Sequence, residues 1–199
     1  MHQKVDELKK ITFSSDRIVS INPTTEEVLG SVETIGISGI DEVVNKANRA
    51  FQDWAKVPLT QRLKYLQNLS KIIINQFDEI ARLISVEQGK TITDAKLAEI
   101  IPVLEIIKDM RRKARKVLNP KRIPNELILF SNRKSQYHFV PYGVVAVISP
   151  WNFPFSVPIP EIITAIIAGN TVIFKPAPAT VLIGQKIDEL FKEAAFPEE

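Results

Sequence analysis

With 199 residues, 45% of them hydrophobic and 25% charged, the chain has ordinary globular usage and enough length to bury roughly 70% of the surface its unfolded form exposes. Its 26 basic and 23 acidic side chains leave a formal charge of +3 and mostly alternate, which argues against a nucleic-acid partner; the basic run at 111–116 and Lys121-Arg122 read as a solvated helix end near the negative pole of its dipole. The absence of cysteine, with only His2 and His138 as histidines, excludes disulfides, thiol nucleophiles and a histidine-based metal cluster, and the longest apolar stretch, 162–169, is far short of the ~20 residues that span a membrane.

Residues 1–10 are mixed polar without an apolar core, so no targeting segment is read there and a cytoplasmic setting is the default expectation. Residues 18–30 read as two short extended runs around the Asn22-Pro23 turn, a β-hairpin, because proline disfavours helix in the residue before it. Ser38 stands three residues before Asp41, a capping-box-like opening to a helix whose Ile40, Val43, Val44, Ala47, Ala50, Phe51 and Trp54 recur at helical spacing. A second helix is expected from about Thr60, after Pro58, carrying Leu63, Leu66, Leu69, Ile73, Phe77, Ile80 and Ile84 inward and stopping at Gly89. A third follows from about Thr93 to Val117; Pro102 lies inside its pattern, so the helix either starts later or is kinked there.

From Glu126 the period changes to two, with Leu127 and Leu129, then Tyr137 and Phe139, alternating with polar neighbours across a turn at 131–134, which indicates an antiparallel hairpin. Residues 144–148 and 171–174 are instead continuous apolar runs, as in strands of a parallel sheet covered on both faces. Between them Pro158 or Pro160 can open a short crossover helix over 161–168, ended by Gly169, to complete a βαβ unit. A last helix spans about 181–195.

In open α/β sheets ligands lie beyond the carboxyl ends of the strands, which places the turn Ser149-Pro150-Trp151-Asn152-Phe153 where a cofactor sits. The glycine-rich phosphate fingerprint is missing, however, and Pro150 and Pro154 remove two backbone donors, so periodicity alone leaves a functional and a purely structural turn equally open. Lys175 closes the second strand, where a dinucleotide fold meets the adenosine ribose, although a lone lysine at a strand end is usually just a solvated charge.

The pentapeptide Pro150-Trp151-Asn152-Phe153-Pro154, followed by Gly169-Asn170-Thr171-Val172 and Lys175-Pro176, resembles the aldehyde dehydrogenase superfamily. Weaker echoes stand in the same order: Asn22-Pro23 with Glu26, Ala50-Phe51 with Trp54, Glu87-Gln88-Gly89-Lys90, and Pro141-Tyr142-Gly143-Val144-Val145, so the resemblance runs from about residue 18 to the end. It implies an α/β fold: the amino-terminal part of an aldehyde dehydrogenase, with helices, the first βαβ of a parallel nucleotide-binding sheet, and an antiparallel association hairpin. The parts implied are 1–125, the helical and β-hairpin portion of the nucleotide-binding domain; 126–140, the oligomerisation hairpin; and 141–199, an incomplete Rossmann-like dinucleotide-binding unit, with the catalytic domain absent.

By the same resemblance, Asn152 donates its side-chain amide to the oxyanion formed when a thiolate attacks an aldehyde, a role suited to a neutral preorganised donor. Ile148, Pro150, Trp151 and Asn152 would line the nicotinamide ribose and phosphate region, and Lys175 would meet the ribose hydroxyls of NAD or NADP. The acidic residue often found three positions after that lysine is here Pro178, preceded by Ala177; proline neither accepts a hydroxyl nor repels a phosphate, so both cofactors stay open. Family members also carry a cysteine nucleophile and a general-base glutamate beyond these segments, so a truncated or split NAD(P)-dependent aldehyde dehydrogenase, inactive by itself, is the leading expectation. An aldehyde would be its substrate only after completion by the missing part, and a homo-oligomer or complementary fragment its partner. The alternatives are a non-catalytic association module and a nucleotide-binding protein without redox chemistry.

Overall fold

A computed structural model describes residues 13–14, 17–124 and 134–197. Strands β1 (Phe13–Ser14), β2 (Arg17–Ile21) and β3 (Val28–Glu33) form an antiparallel sheet in that order, with the expected turn at Asn22-Pro23. Asn22 helps to close that turn: its Oδ1 accepts from the N–H groups of Thr24 and Thr25 at 2.9 and 3.3 Å, an Asx turn inside backbone bonds from the Asn22 N–H to the Glu27 carbonyl and from the Glu26 N–H to the Asn22 carbonyl, both at 2.9 Å. A register shift at Ser20/Ile21 marks a bulge on β2 next to buried Ser20.

Helix α1 (Ile40–Trp54) starts without the expected capping box, because a short 3-10 turn, Ile37–Gly39, places Gly39 at the cap and no side chain bonds the first turn. Its apolar face lies over the two-stranded parallel sheet, which is too narrow to cover four turns; Trp54 is buried and Ile40 is exposed. The expected second helix is two helices, α2 (Leu59–Asn75) and α3 (Phe77–Gln88), broken at Gln76, whose φ of −102° and ψ of 17° leave the helical region. Gly89 ends α3 at a φ of +77°, the left-handed cap that glycine adopts without steric cost.

Pro102 is accommodated by a change of helix type. Thr91 caps a single turn, Ile92–Asp94, by accepting from the Asp94 N–H; a π-helical segment, Ala95–Ile100, follows, and α4 (Ile101–Leu118) continues from it. The Ile101 N–H reaches back five residues to the Lys96 carbonyl, so Pro102 enters the first turn of α4, where its missing donor is not needed.

Strands β4 (Lys121–Ile123) and β5 (Ser135–Tyr137) pair antiparallel, with Lys121 opposite Tyr137 and Ile123 opposite Ser135. The first described arm therefore precedes Glu126, while the alternating Leu127 and Leu129 and most of the expected turn lie outside the described residues. The βαβ unit is present: β6 (Val144–Ile148) and β7 (Thr171–Lys175) run parallel, joined by α5 (Pro158–Ile167), and α6 (Val181–Glu193) follows. Val145, Val147, Val172 and Phe174 point into the main core with Ile159, Ile163 and Ile187, each fully buried aliphatic chain contributing about 1.5–3 kcal/mol. Thr171 points the other way, donating its hydroxyl to the Ala47 carbonyl of α1 at 2.9 Å, while Ala146 and Ile148 are exposed, so coverage of β6 on both faces is incomplete among the described residues.

Arg62 ties α2 to the crossover by donating from Nη1 to the Ile167 carbonyl at 2.6 Å, a cation at the carboxyl end of α5; burial pushes its pKa down. Trp54 does the same from α1, its indole N–H reaching the Ile166 carbonyl at 3.0 Å. No helix among the described residues is long and apolar enough to cross a membrane.

Candidate functional site

Beyond the carboxyl ends of β6 and β7 the parallel ladder is continued by one bond, from the Ser149 N–H to the Lys175 carbonyl at 3.2 Å, and the chain then leaves the sheet. Residues 150–153 are exposed, whereas Pro154 and Phe155 are buried; Phe155, with no exposed surface, anchors the far side of the turn in the core. The predicted site residues thus divide by depth. Ile148 is 71% and Trp151 62% exposed, Pro150, Asn152, Lys175 and Pro178 are exposed, and Ala177 is buried. Ile148 and Lys175 are register partners, so both strand ends open on one side, where the Lys175 ammonium lies 3.4 Å from the Pro176 carbonyl.

The turn makes few bonds with itself and many with distant side chains. Gln88, the last residue of α3, donates from Nε2 to the carbonyls of both Trp151 and Asn152 at 2.6 Å. Lys90 donates to the Asn152 carbonyl at 3.3 Å, lies 4.7 Å from the centre of the Phe153 ring, and is ion-paired with Glu99. Glu99, fully buried in the π-helical segment, accepts on its other oxygen from the N–H groups of Phe155 and Ser156 at 2.9 and 3.1 Å. A buried carboxylate is tolerated because a cation and two donors satisfy it. The side-chain amide of Asn152 has no protein partner among the described residues.

Neighbouring Glu87 fastens the scaffold. Its carboxylate, 3% exposed, accepts from the Ser20 hydroxyl at 2.7 Å and from the Leu182 and Ile183 N–H groups at 2.8 and 2.9 Å, joining β2, α3 and the positive end of α6. Burial pushes its pKa up, with these three hydrogen bonds acting in opposition. Glu87-Gln88-Gly89-Lys90 is therefore one working unit: a clamp, a turn holder, a helix stop and a cation. Sequence reasoning named the tetrapeptide without its tasks and missed Glu99. The signal for Glu99 was available: it falls four residues from Ala95 and from Val103, on the buried face of its helical pattern, where a lone carboxylate demands partners.

Two buried hydroxyls have no hydrogen-bond partner among the described residues: Ser149 Oγ, directly after β6, and Thr180 Oγ1, in the 3-10 turn Pro178–Thr180 that precedes α6. An unsatisfied buried hydroxyl directly past the end of a parallel strand, as at Ser149, fits a polar ligand laid there. Among the described residues no group of three or more histidines, aspartates or glutamates is placed to hold a metal ion.

Fold and turn define an α/β protein in which a parallel βαβ unit carries an exposed asparagine turn past the end of its first strand, the amide without a protein partner among the described residues. A profile of the aldehyde dehydrogenase family matches residues 11–199. The chain is 33% identical over 181 residues to the 4,4'-diapolycopene aldehyde oxidase of Methylomonas sp, and 33% identical over 177 residues to the malonate-semialdehyde dehydrogenase of Halalkalibacterium halodurans, covering 91% and 89% of itself. In three dimensions it is similar to a 1-pyrroline-5-carboxylate dehydrogenase from Thermus with bound NAD, at a TM-score of 0.83 and 29% identity over 92% of this chain and 35% of that one. The chain belongs to the aldehyde dehydrogenase family. It spans about a third of the length of the curated relatives it matches, 34% and 36% for the two named.

Proposed function

We propose that these residues supply the oxyanion donor and the first part of the dinucleotide cradle of an NAD(P)-dependent aldehyde dehydrogenase that oxidises an aldehyde to a carboxylic acid in the cytoplasm. The reading is carried by Asn152, whose free amide projects from a turn with a tethered backbone. Ile148, Pro150, Trp151 and Lys175 would hold NAD or NADP, with Ala177 and Pro178 after the lysine; when bound, the cofactor supplies a hydride acceptor. The Asn152 amide would donate to the carbonyl oxygen as it gains charge, and removing one such donor costs about 10²–10³ in kcat.

These 199 residues contain no cysteine, so the attacking thiolate comes from outside them, and they have no turnover alone. The test is to mix the chain with the complementary, thiol-bearing two thirds of a relative and follow NAD(P)H absorbance. Turnover in the mixture, absent from either part and reduced by about two orders of magnitude in Asn152→Ala, supports the reading. Turnover by the lone chain, or a fully active Asn152→Ala mixture, refutes it.

A second reading, association through the β4–β5 arm, is favoured by exposed apolar surface beside it. Tyr137 is 44%, Phe139 49% and Val140 80% exposed. A homo-oligomer or a complementary fragment would cover such a surface.

A further inference from the structure

The geometry points to Gln88, Lys90 and Glu99 as positioning residues that aim the Asn152 amide; this rests on the proposed role of Asn152. The direction of a side chain is set by the two peptide planes that flank its Cα. For Asn152 these planes carry the Trp151 and Asn152 carbonyls, and the single Nε2 of Gln88 holds both at 2.6 Å. One amide therefore restrains φ and ψ of Asn152 together, and only the two side-chain torsions remain.

Gln88 is oriented in turn by its acceptors. Its Oε1 is buried without a hydrogen-bond partner among the described residues, where the amide is held by its donor side. Lys90 adds a positive charge at the Asn152 carbonyl and packs on Phe153. Glu99 holds Lys90 on one oxygen and the Phe155 and Ser156 N–H groups on the other, fixing the exit of the turn as Gln88 fixes its crown. Pro150 and Pro154 have no N–H, so this turn cannot close a regular ladder of its own and depends on these outside groups. Gly89 permits the arrangement: its left-handed φ of +77° reverses the chain between Gln88 and Lys90, bringing both to the same turn.

Two experiments separate positioning from mere stability. In the 199-residue chain, the two tryptophan indole signals and the Asn152 side-chain amide are followed by nitrogen-15 NMR, with Asn152→Ala providing the assignment. Gln88→Met keeps the length of the side chain and removes both donors. The expected result is that the Trp151 indole and the Asn152 amide move and broaden, while the Trp54 indole, buried against Tyr65 and Phe196, stays in place. Trp151 and Asn152 signals unchanged beside an unchanged Trp54 overturn the inference. Should Trp54 also be lost, Lys90→Met is read by the same signals with the same two outcomes, and Lys90→Arg should restore the parent spectrum.

In the complemented enzyme, Gln88→Met should lower kcat about 10²-fold, with a much smaller change in KM for the aldehyde. Added to Asn152→Ala it should cost nothing further, since an amide already absent cannot be misaimed. Equal and additive losses in both backgrounds overturn the inference. Should Asn152→Ala leave turnover untouched, it is the proposed role of Asn152 that fails, and the NMR outcome still decides whether Gln88 orders the turn.

Discussion

Replacing Glu99 by glutamine is the most informative single perturbation, because the change keeps the shape of the side chain and alters only its charge and donors. Glu99 is fully buried and the Lys90 side chain is only 17% exposed, so solvent screens the pair little. In Glu99→Gln the amide oxygen can still accept from the Phe155 and Ser156 N–H groups, which turns the NH2 toward the Lys90 ammonium, donor against donor. Breaking a buried pair by neutralising one partner typically costs about 3–5 kcal/mol, chiefly because the remaining charge is left uncompensated. Taking about 4 kcal/mol, a chain of this size should melt roughly 8–16 °C lower. Urea denaturation followed by circular dichroism measures the loss directly. Lys90→Met should cost a similar amount, and the double variant clearly less than the sum, with a coupling of about 1–3 kcal/mol. A Glu99→Gln chain within about 1 kcal/mol of the parent, or strict additivity in the double variant, refutes the view that this pair holds the turn.

Further outcomes follow from the scaffold. Gly89→Ala puts a Cβ on a residue at φ +77° and 3.0 Å from Pro23 Cγ, so urea denaturation should show a loss of at least about 1–2 kcal/mol, whereas a neutral result would mean that α3 ends in another way. Glu87 gives the chain a pH signature. Its folded pKa is raised above a glutamate's ordinary 4.5, so the folded chain holds that proton to higher pH than the unfolded chain, and the associated stability is complete below 4.5 and declines as pH rises through the raised value. Glu87→Gln cannot titrate, so the stability of the parent relative to this variant should fall as pH rises from 4.5 through the raised value, and a rise over that course contradicts the reasoning.

How far the fold was legible depended on the range of the interactions involved. The order of the unit β6–α5–β7 could be read because its signals are local: apolar runs of strand length, a proline at the start of the helix, and Gly169 past its end with a φ of +100°; the helix itself opens at Pro158, three residues before the expected 161, because both Pro158 and Pro160 fit a first turn. The stop at Gly89 was legible for the same reason. The break at Gln76 was not, because Phe77, Ile80 and Ile84 keep the apolar phase of Leu66, Leu69 and Ile73 across it, and a phase that continues conceals a change in the backbone. Pro102 announced a difficulty in the third helix, but the π-helical answer depends on how the segment packs against α3 and α4.

The site divides in the same way. That Asn152 stands on an exposed turn past the end of a parallel strand follows from chain order, since strand, turn and helix succeed one another within about twenty residues. What makes the turn hold one shape does not. Gln88, Lys90 and Glu99 meet residues 151–156 across separations of 56 to 64 positions, contacts that no local pattern encodes. The sequence determined which groups carry charge, donors and left-handed freedom; folding alone decided which of them meet, because a buried carboxylate or amide chooses its partners by distance in space and not by position along the chain.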